Sequence, residues 1–191
     1  LSGSSEWDQQ SSQVRSRYGF SVSSAGDVNG DGYSDILVGA THYESGENEE
    51  GVAFLYPGDG KGVVDDPLWT AESNQSGANL GSSVSCAGDV NGDGYSDVII
   101  GANLYRNSIT EEGAALMWYG SARGPGDPGT PSNADWKFYG GQISANLGNS
   151  VSTAGDVNGD GFSDMIVGAY LYNTSAIDGG RAYVFLGEAP P

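Results

Sequence analysis

The sequence predicts an all-β fold made of repeated four-stranded antiparallel sheets, and three observations predict it. The acidic nonapeptide Asp27-Val28-Asn29-Gly30-Asp31-Gly32-Tyr33-Ser34-Asp35 recurs over 89–97 and again over 156–164, where Phe162 replaces the tyrosine. Markers around it keep their distances. Trp7, Trp69 and Trp136 each lie 12 residues before Gly19, Gly81 and Gly148, and the first Asp of each nonapeptide lies 24 residues before Gly51, Gly113 and Gly180. Between the markers run short apolar or alternating stretches bounded by Gly, Asn, Asp and Pro, the pattern of strands and turns. The spacing from Asp27 to Asp89 is 62 residues and from Asp89 to Asp156 is 67. One five-residue insertion accounts for the difference, and it falls in the Pro/Gly-rich stretch around 124–131. Units of this period stack on one another because none can bury its apolar face alone.

Four strands are expected in each unit. Strand A, over 19–25, 81–87 and 148–154, alternates and is rich in small residues, which suits a crowded place near an axis. The nonapeptide then makes the A–B hairpin. Strand B, over 36–40, 98–102 and 165–169, is a continuous apolar run suited to burial on both faces. Strand C covers 52–56, 114–118 and 181–185. Strand D carries the tryptophan, over 68–71 and 135–138. Radially repeated four-stranded sheets with buried inner strands describe β-propeller blades. The expected organisation is a single segment over 1–191 with three repeats, about 7–68, 69–135 and 136–187, forming part of a propeller.

The nonapeptide has the oxygen pattern of a calcium loop. Side-chain ligands at positions 1, 3 and 5, a glycine at 6, a carbonyl at 7 and a carboxylate at 9 can wrap a hard cation. The expected ligand sets are Asp27, Asn29, Asp31, the Tyr33 carbonyl and Asp35; Asp89, Asn91, Asp93, the Tyr95 carbonyl and Asp97; and Asp156, Asn158, Asp160, the Phe162 carbonyl and Asp164. An Asx-rich turn is the plain alternative, since Asp, Asn and Gly favour any tight turn; three copies with identical ligand spacing favour Ca²⁺ at three sites per chain. A helix-loop-helix calcium site is excluded, because position 12 is Val38, Ile100 or Val167 within an apolar strand.

An aromatic residue or Leu before Gly (Tyr18-Gly19-Phe20, Leu80-Gly81, Leu147-Gly148), the acidic loop, and then Gly-Ala (Gly39-Ala40, Gly101-Ala102, Gly168-Ala169) together resemble the FG-GAP repeat, which builds the head propeller of integrin α subunits and occurs in many bacterial surface proteins. The resemblance covers roughly 7–187. It implies calcium in the A–B hairpins, an extracellular or cell-surface location, and a role in adhesion or ligand recognition. The first motif letter is Leu in two copies, and Tyr170 follows the third Gly-Ala where the family often has Pro; neither change touches a ligand position.

Charge and composition narrow the function classes. With 25 acids against 7 bases the net charge is −18, which disfavours nucleic acid and anionic membranes as partners. Nine of those acids belong to the loops, so three Ca²⁺ would bring the charge to about −12. Cys86 is the single cysteine and aligns with Ser24 and Thr153, a small packing position. No apolar run approaches the ~18 residues of a membrane span, so no membrane insertion is expected, and residues 1–5 carry no signal-peptide core. No enzyme is expected. The lone histidine, His42, aligns with Leu104 and Leu171, and no nucleophile elbow, phosphate loop or zinc cluster is present.

An up-and-down meander places the A–B and C–D connections on one side and the B–C and D–A connections on the other. The B–C loops 41–50, 103–112 and 170–179 vary while the framework does not, and variable loops on a rigid scaffold are where binding is usually placed; the integrin resemblance implies that this is the ligand face. Tyr43, Tyr105 and Tyr172 begin these loops and are expected to pack between blades, as are the three tryptophans. The partner reading is an extracellular protein, with a glycan ligand or a ligand-free scaffold as alternatives. The chain opens on a D-type segment, 6–9, and closes on a C-type strand, so two chains are expected to close a six-bladed ring as a head-to-tail homodimer, the alternative being a segment of a longer chain with more blades.

Overall fold

A computed structural model describes residues 6–189, so the reading of residues 1–5 lies outside the described part. Eleven strands are present among the described residues: β1 Tyr18–Gly26, β2 Asp35–Ala40, β3 Val52–Tyr56, β4 Trp69–Glu72, β5 Leu80–Gly88, β6 Asp97–Ala102, β7 Ala114–Trp118, β8 Trp136–Tyr139, β9 Leu147–Gly155, β10 Asp164–Ala169 and β11 Arg181–Phe185. They form two four-stranded sheets, β1-β2-β3-β4 and β5-β6-β7-β8, and a three-stranded sheet, β9-β10-β11. Every pairing within these sheets is antiparallel, and each inner pair shifts register near both ends. These sheets are β-propeller blades.

Adjacent blades pack through matched positions. Val84 and Val151, on the inner strands of blades 2 and 3, are each 6% exposed, while their counterpart Val22 in blade 1 is 69% exposed. On the following face, Leu37 and Ile99 are fully buried whereas Ile166 is 37% exposed. The first blade therefore shows an uncovered leading face and the third an uncovered trailing face. Tryptophan closes each seam as expected: Trp69 meets Trp118 edge-on at 5.3 Å, and Trp136 meets Phe185 at 4.6 Å.

The glycine of each Gly-Ala pair sets how closely the blades approach. A side chain at Gly101 would collide with the carbonyl oxygen of Gly148 in the next blade, and one at Gly39 would collide with that of Gly81. Gly168 has nothing nearer than 3.6 Å.

Two segments depart from the regular blade. The tryptophan segment at 6–10 forms no strand. Trp7 nevertheless packs on Tyr56 at 5.2 Å and 65°, the geometry of the other two seams. The packing contact survives without the ladder because ring burial needs only the neighbouring blade, whereas a strand needs a sheet edge to pair with. The Pro/Gly insertion begins beside the first acidic loop, where Ser121 N–H donates to the Val28 carbonyl (3.1 Å), and then runs along β4. There Gly129 accepts from Glu72 N–H (2.8 Å) and Gly126 accepts from Trp69 Nε1 (2.9 Å). It thus covers the outer edge of the first blade, an edge that would otherwise be open to pairing with another chain.

Candidate metal loops and the face opposite them

The acidic loops connect β1 to β2, β5 to β6 and β9 to β10, and all three have the same internal geometry. In the first, Asp27 Oδ1 accepts from the N–H groups of Gly30 (2.7 Å) and Asp31 (3.0 Å), and Oδ2 from Gly32 (2.9 Å). Asn29 Oδ1 accepts from Asp31 N–H (3.0 Å), Asn29 Nδ2 donates to Asp31 Oδ2 (3.0 Å), and Asp31 Oδ1 accepts from Tyr33 N–H (2.9 Å). Asp89, Asn91 and Asp93 repeat this set, as do Asp156, Asn158 and Asp160. Positive φ at Gly30 (74°) and Gly32 (92°) allows the tight winding.

The last carboxylate of each loop lies deeper. Asp35, Asp97 and Asp164 are fully buried, and each has one oxygen accepting from the loop's own valine N–H and the other from a glycine N–H just past strand C. Burial raises the Asp35 carboxyl, and it pushes Asp97 up to about 7, with Asp93 and Asp89 adding to the rise while hydrogen bonds from Val90 and Gly120 oppose it. Asp156, by contrast, is held below the usual carboxylate range, first by the N–H of Gly161.

The structure therefore gathers positions 1, 3 and 5 on one coiled backbone, with position 9 beneath them. Among the described residues, no three acidic, histidine or cysteine side chains converge as a ready-made ion cage. The donor chemistry still fits a hard cation. Apart from the Asn amide nitrogen the donors are oxygens, and a carboxylate offers about four lone-pair sites, more than the N–H groups occupy. The Asx-turn role and the ligand role of these side chains are thus compatible.

On the opposite side, a buried glutamate organises the B–C loop in each of the first two blades. Glu50 is 1% exposed; its Oε1 accepts from Ser45 and Glu47 N–H (2.8 and 3.0 Å), and its Oε2 accepts from Asn74 N–H (3.1 Å). Glu112 Oε1 accepts from Asn107, Ser108 and Ile109 N–H, and its Oε2 from Gly141 N–H. Burial works to raise the Glu112 carboxyl, but the four donors win and hold it below its ordinary value. The third blade has Gly179 at this register.

A glutamine clamp repeats in all three blades. The Gln75 side chain donates to the Arg106 carbonyl (2.9 Å) and accepts from Arg106 N–H (2.8 Å), tying a D–A connection to the next blade's B–C loop. Gln13 holds Glu44 and Gln142 holds Asn173 in the same way. Sequence reasoning missed both devices. The available signal was register alone: each Gln lies six residues before the strand A glycine, and Glu precedes Gly51 and Gly113.

Comparison with known families and proteins completes the picture. The profile described as FG-GAP-like repeat matches residues 27–100, and the one described as FG-GAP repeat matches 147–185. The chain belongs to the FG-GAP repeat family. It is 32% identical over 169 residues to integrin alpha-4 of Xenopus laevis, covering 86% of this chain and 15% of that protein. It is 31% identical over 169 residues to integrin alpha-PS2 of Drosophila melanogaster (83% and 12%) and 33% identical over 164 residues to integrin alpha-8 of Mus musculus (83% and 15%). The chain thus spans about a seventh of the length of the curated relatives it matches.

Within the FG-GAP frame, the remaining singled-out residues take packing places. Tyr43 meets Phe54 at 5.3 Å, Tyr105 stacks with Tyr139 at 6.0 Å, and Tyr172 meets Tyr183 at 6.5 Å. Each pairs with a ring of its own sheet, and Tyr105 and Tyr172 also pack against the apolar clusters between blades, as expected. The reason for the own-sheet pairing is direction: the loop's first turn folds back over strand C, which bears those rings or pairs with the strand that does. His42 Nδ1 lies 3.5 Å from Glu49 Oε1 in a loop-internal contact. Burial raises the Cys86 thiol, whose sulfur accepts from Gly88 N–H at 3.2 Å. Among the described residues, no helix is long and apolar enough to cross a membrane.

Proposed function

We propose that this chain is a calcium-stabilised FG-GAP propeller module for extracellular adhesion, presenting its B–C loops to a protein ligand. The observation that carries the reading is the division of the two faces. One face repeats a single oxygen-rich loop three times; the other displays three loops of different sequence on repeated glutamine clamps. A rigid scaffold with variable loops is the usual architecture of recognition. The similarity to integrin α subunits over more than four-fifths of the chain supports the adhesive class over an enzymatic one.

Asp27, Asn29, Asp31, the Tyr33 carbonyl and Asp35 would hold the first ion, and the corresponding residues of the other loops the second and third. Bound calcium supplies positive charge and a cross-link between strands A and B. The chain's own residues do the rest: the Asx network shapes the loop, and the buried last aspartate anchors it to strand C. Millimolar extracellular calcium suits sites of this kind.

Binding of a panel of purified extracellular-matrix proteins, measured in parallel with a glycan array, tests the ligand class. Protein binding that is lost when 103–112 is replaced by a Gly/Ser segment supports the proposal. Loop-dependent sugar binding moves it to the lectin alternative, and silence in both leaves a scaffold.

A second element concerns the uncovered faces. Val22 on the leading face of blade 1, with Ile166 and Val184 on the trailing face of blade 3, are the same positions that pair between blades. By this reading a second copy, docked head to tail, covers them as one blade covers the next, and its Trp7 segment joins β11 as an outer strand. Sedimentation of the calcium-loaded chain at micromolar concentration is expected to give twice 19.7 kDa; a monomer rejects the two-chain ring.

A further inference from the structure

The acidic loops are not independent of one another. The backbone N–H of Ser96, at position 8 of the second loop, donates to the carbonyl of Asp27, the first residue of the preceding loop (2.9 Å), and Ser96 Oγ accepts from Asp27 N–H (3.2 Å). The Tyr95 ring lies against Gly30, so closely that an added Cβ there would stand 2.5 Å from Tyr95 Cε1. Blade 3 treats the second loop the same way. Ser163 N–H donates to the Asp89 carbonyl (2.9 Å), and the Phe162 ring covers Gly92. The first segments of loops 1 and 2 are also held from the residues just past strand C of the next blade, by Ser121 N–H on the Val28 carbonyl (3.1 Å) and by Glu188 N–H on the Val90 carbonyl (3.0 Å).

The consequence is visible in the loop valines. Val28 and Val90 are 0% and 3% exposed, while Val157 of the third loop, which no described blade covers, is 59% exposed. Gly159, the counterpart of Gly30 and Gly92, has no neighbour near its would-be side chain. The aromatic residue at position 7, assigned above only for its carbonyl, therefore has a second task performed by its ring.

We propose that position 7 and position 8 of each loop are positioning residues for the calcium site of the preceding blade, so that the affinity of one site is set by the blade that follows it. This rests on the calcium reading above. The physical reason is preorganisation: a loop whose first ligand is already fixed by a neighbour loses less conformational freedom on closing around an ion. By linkage, an ion bound in loop 2 fixes Tyr95 and Ser96 and so strengthens loop 1, and the effect is reciprocal.

The test is calorimetric calcium titration of single-site chains. Asp93→Ala with Asp160→Ala leaves loop 1 alone; Asp31→Ala with Asp93→Ala leaves loop 3 alone. Adding Tyr95→Ala and Ser96→Ala to the first background is expected to weaken loop 1 by about five- to tenfold, within the usual range of coupling between sites. The same pair in the second background is expected to leave loop 3 unchanged, and circular dichroism of each variant confirms that the sheets persist. Equal losses at both loops, or none at loop 1 with the fold intact, overturn the coupling. A loop 1 chain that takes up no calcium, with the other single-site chains equally silent, overturns the calcium reading itself.

Discussion

Glu50 and Glu112 are nearly sealed from solvent, and each divides its two oxygens between its own B–C loop and the segment that follows strand D. A buried acceptor set of this kind is costly to break, about 1–3 kcal/mol, because the donors are left without partners. Because the folded carboxyl of Glu112 titrates below its unfolded value of about 4.3, its contribution is present above that pH and is lost as pH falls through the lower folded value. Glu112→Gln is therefore expected to reduce unfolding stability in urea by about 1–3 kcal/mol at pH 7 and by much less near pH 3. An equal loss at both pH values would contradict a role for the charge. The three acidic loops could be read from the chain as one recurring unit because their Asp and Asn positions keep identical spacing in every copy. Gln13, Gln75 and Gln142 could not, since a single glutamine in a polar loop carries no local signal, and its meaning lies in a backbone 31 residues away. At the loops, Asp31→Ala is expected to remove one calcium from the titrated total while leaving the other two sites measurable; loss of all three would indicate that the variant no longer folds.

Among the elements, strands A, B and C were legible almost to the residue, because alternation and apolar runs mark them directly. Strand B starts one residue earlier than expected, at Asp35, since its carboxylate is tied to the hairpin and to Gly58 and draws the ladder with it. The tryptophan segment at 6–9, read as an outer strand for another chain's blade, forms no ladder within the single chain. Its ring position was correct, but a strand is a property of a pair and cannot be inferred from one partner. The path of the insertion along β4 was equally hidden, because its hydrogen bonds run from Gly126 and Gly129, residues that look like plain loop. The stacking of blades makes a sharp element-level prediction. Gly101→Ala puts a methyl group against the Gly148 carbonyl and is expected to destabilise by about 1–3 kcal/mol or more. Gly168→Ala, which would meet Ser150 only at ordinary contact distance, is expected to be neutral within about 1 kcal/mol. Paired thermal melts check this, and equal effects would mean that close blade approach does not set the glycine requirement.

For the whole molecule, the two faces differ in their loops. The acidic loops, the strand C extensions that brace them and the Pro/Gly insertion occupy one side; the clamped, variable loops occupy the other. The net charge of −18 works against compactness, and the calcium uptake proposed for the loop face would offset part of it. An ion bound only by the folded chain stabilises by mass action, roughly 2.7 kcal/mol per site when free calcium is a hundred times the dissociation constant. The account stands or falls on that linkage. Thermal unfolding in 2 mM EDTA and in 2 mM calcium, with magnesium as a control for ionic strength, tests it most directly: calcium is expected to raise the melting temperature well above both other conditions, and three superimposable melting curves would contradict the assignment of the acidic loops as calcium sites.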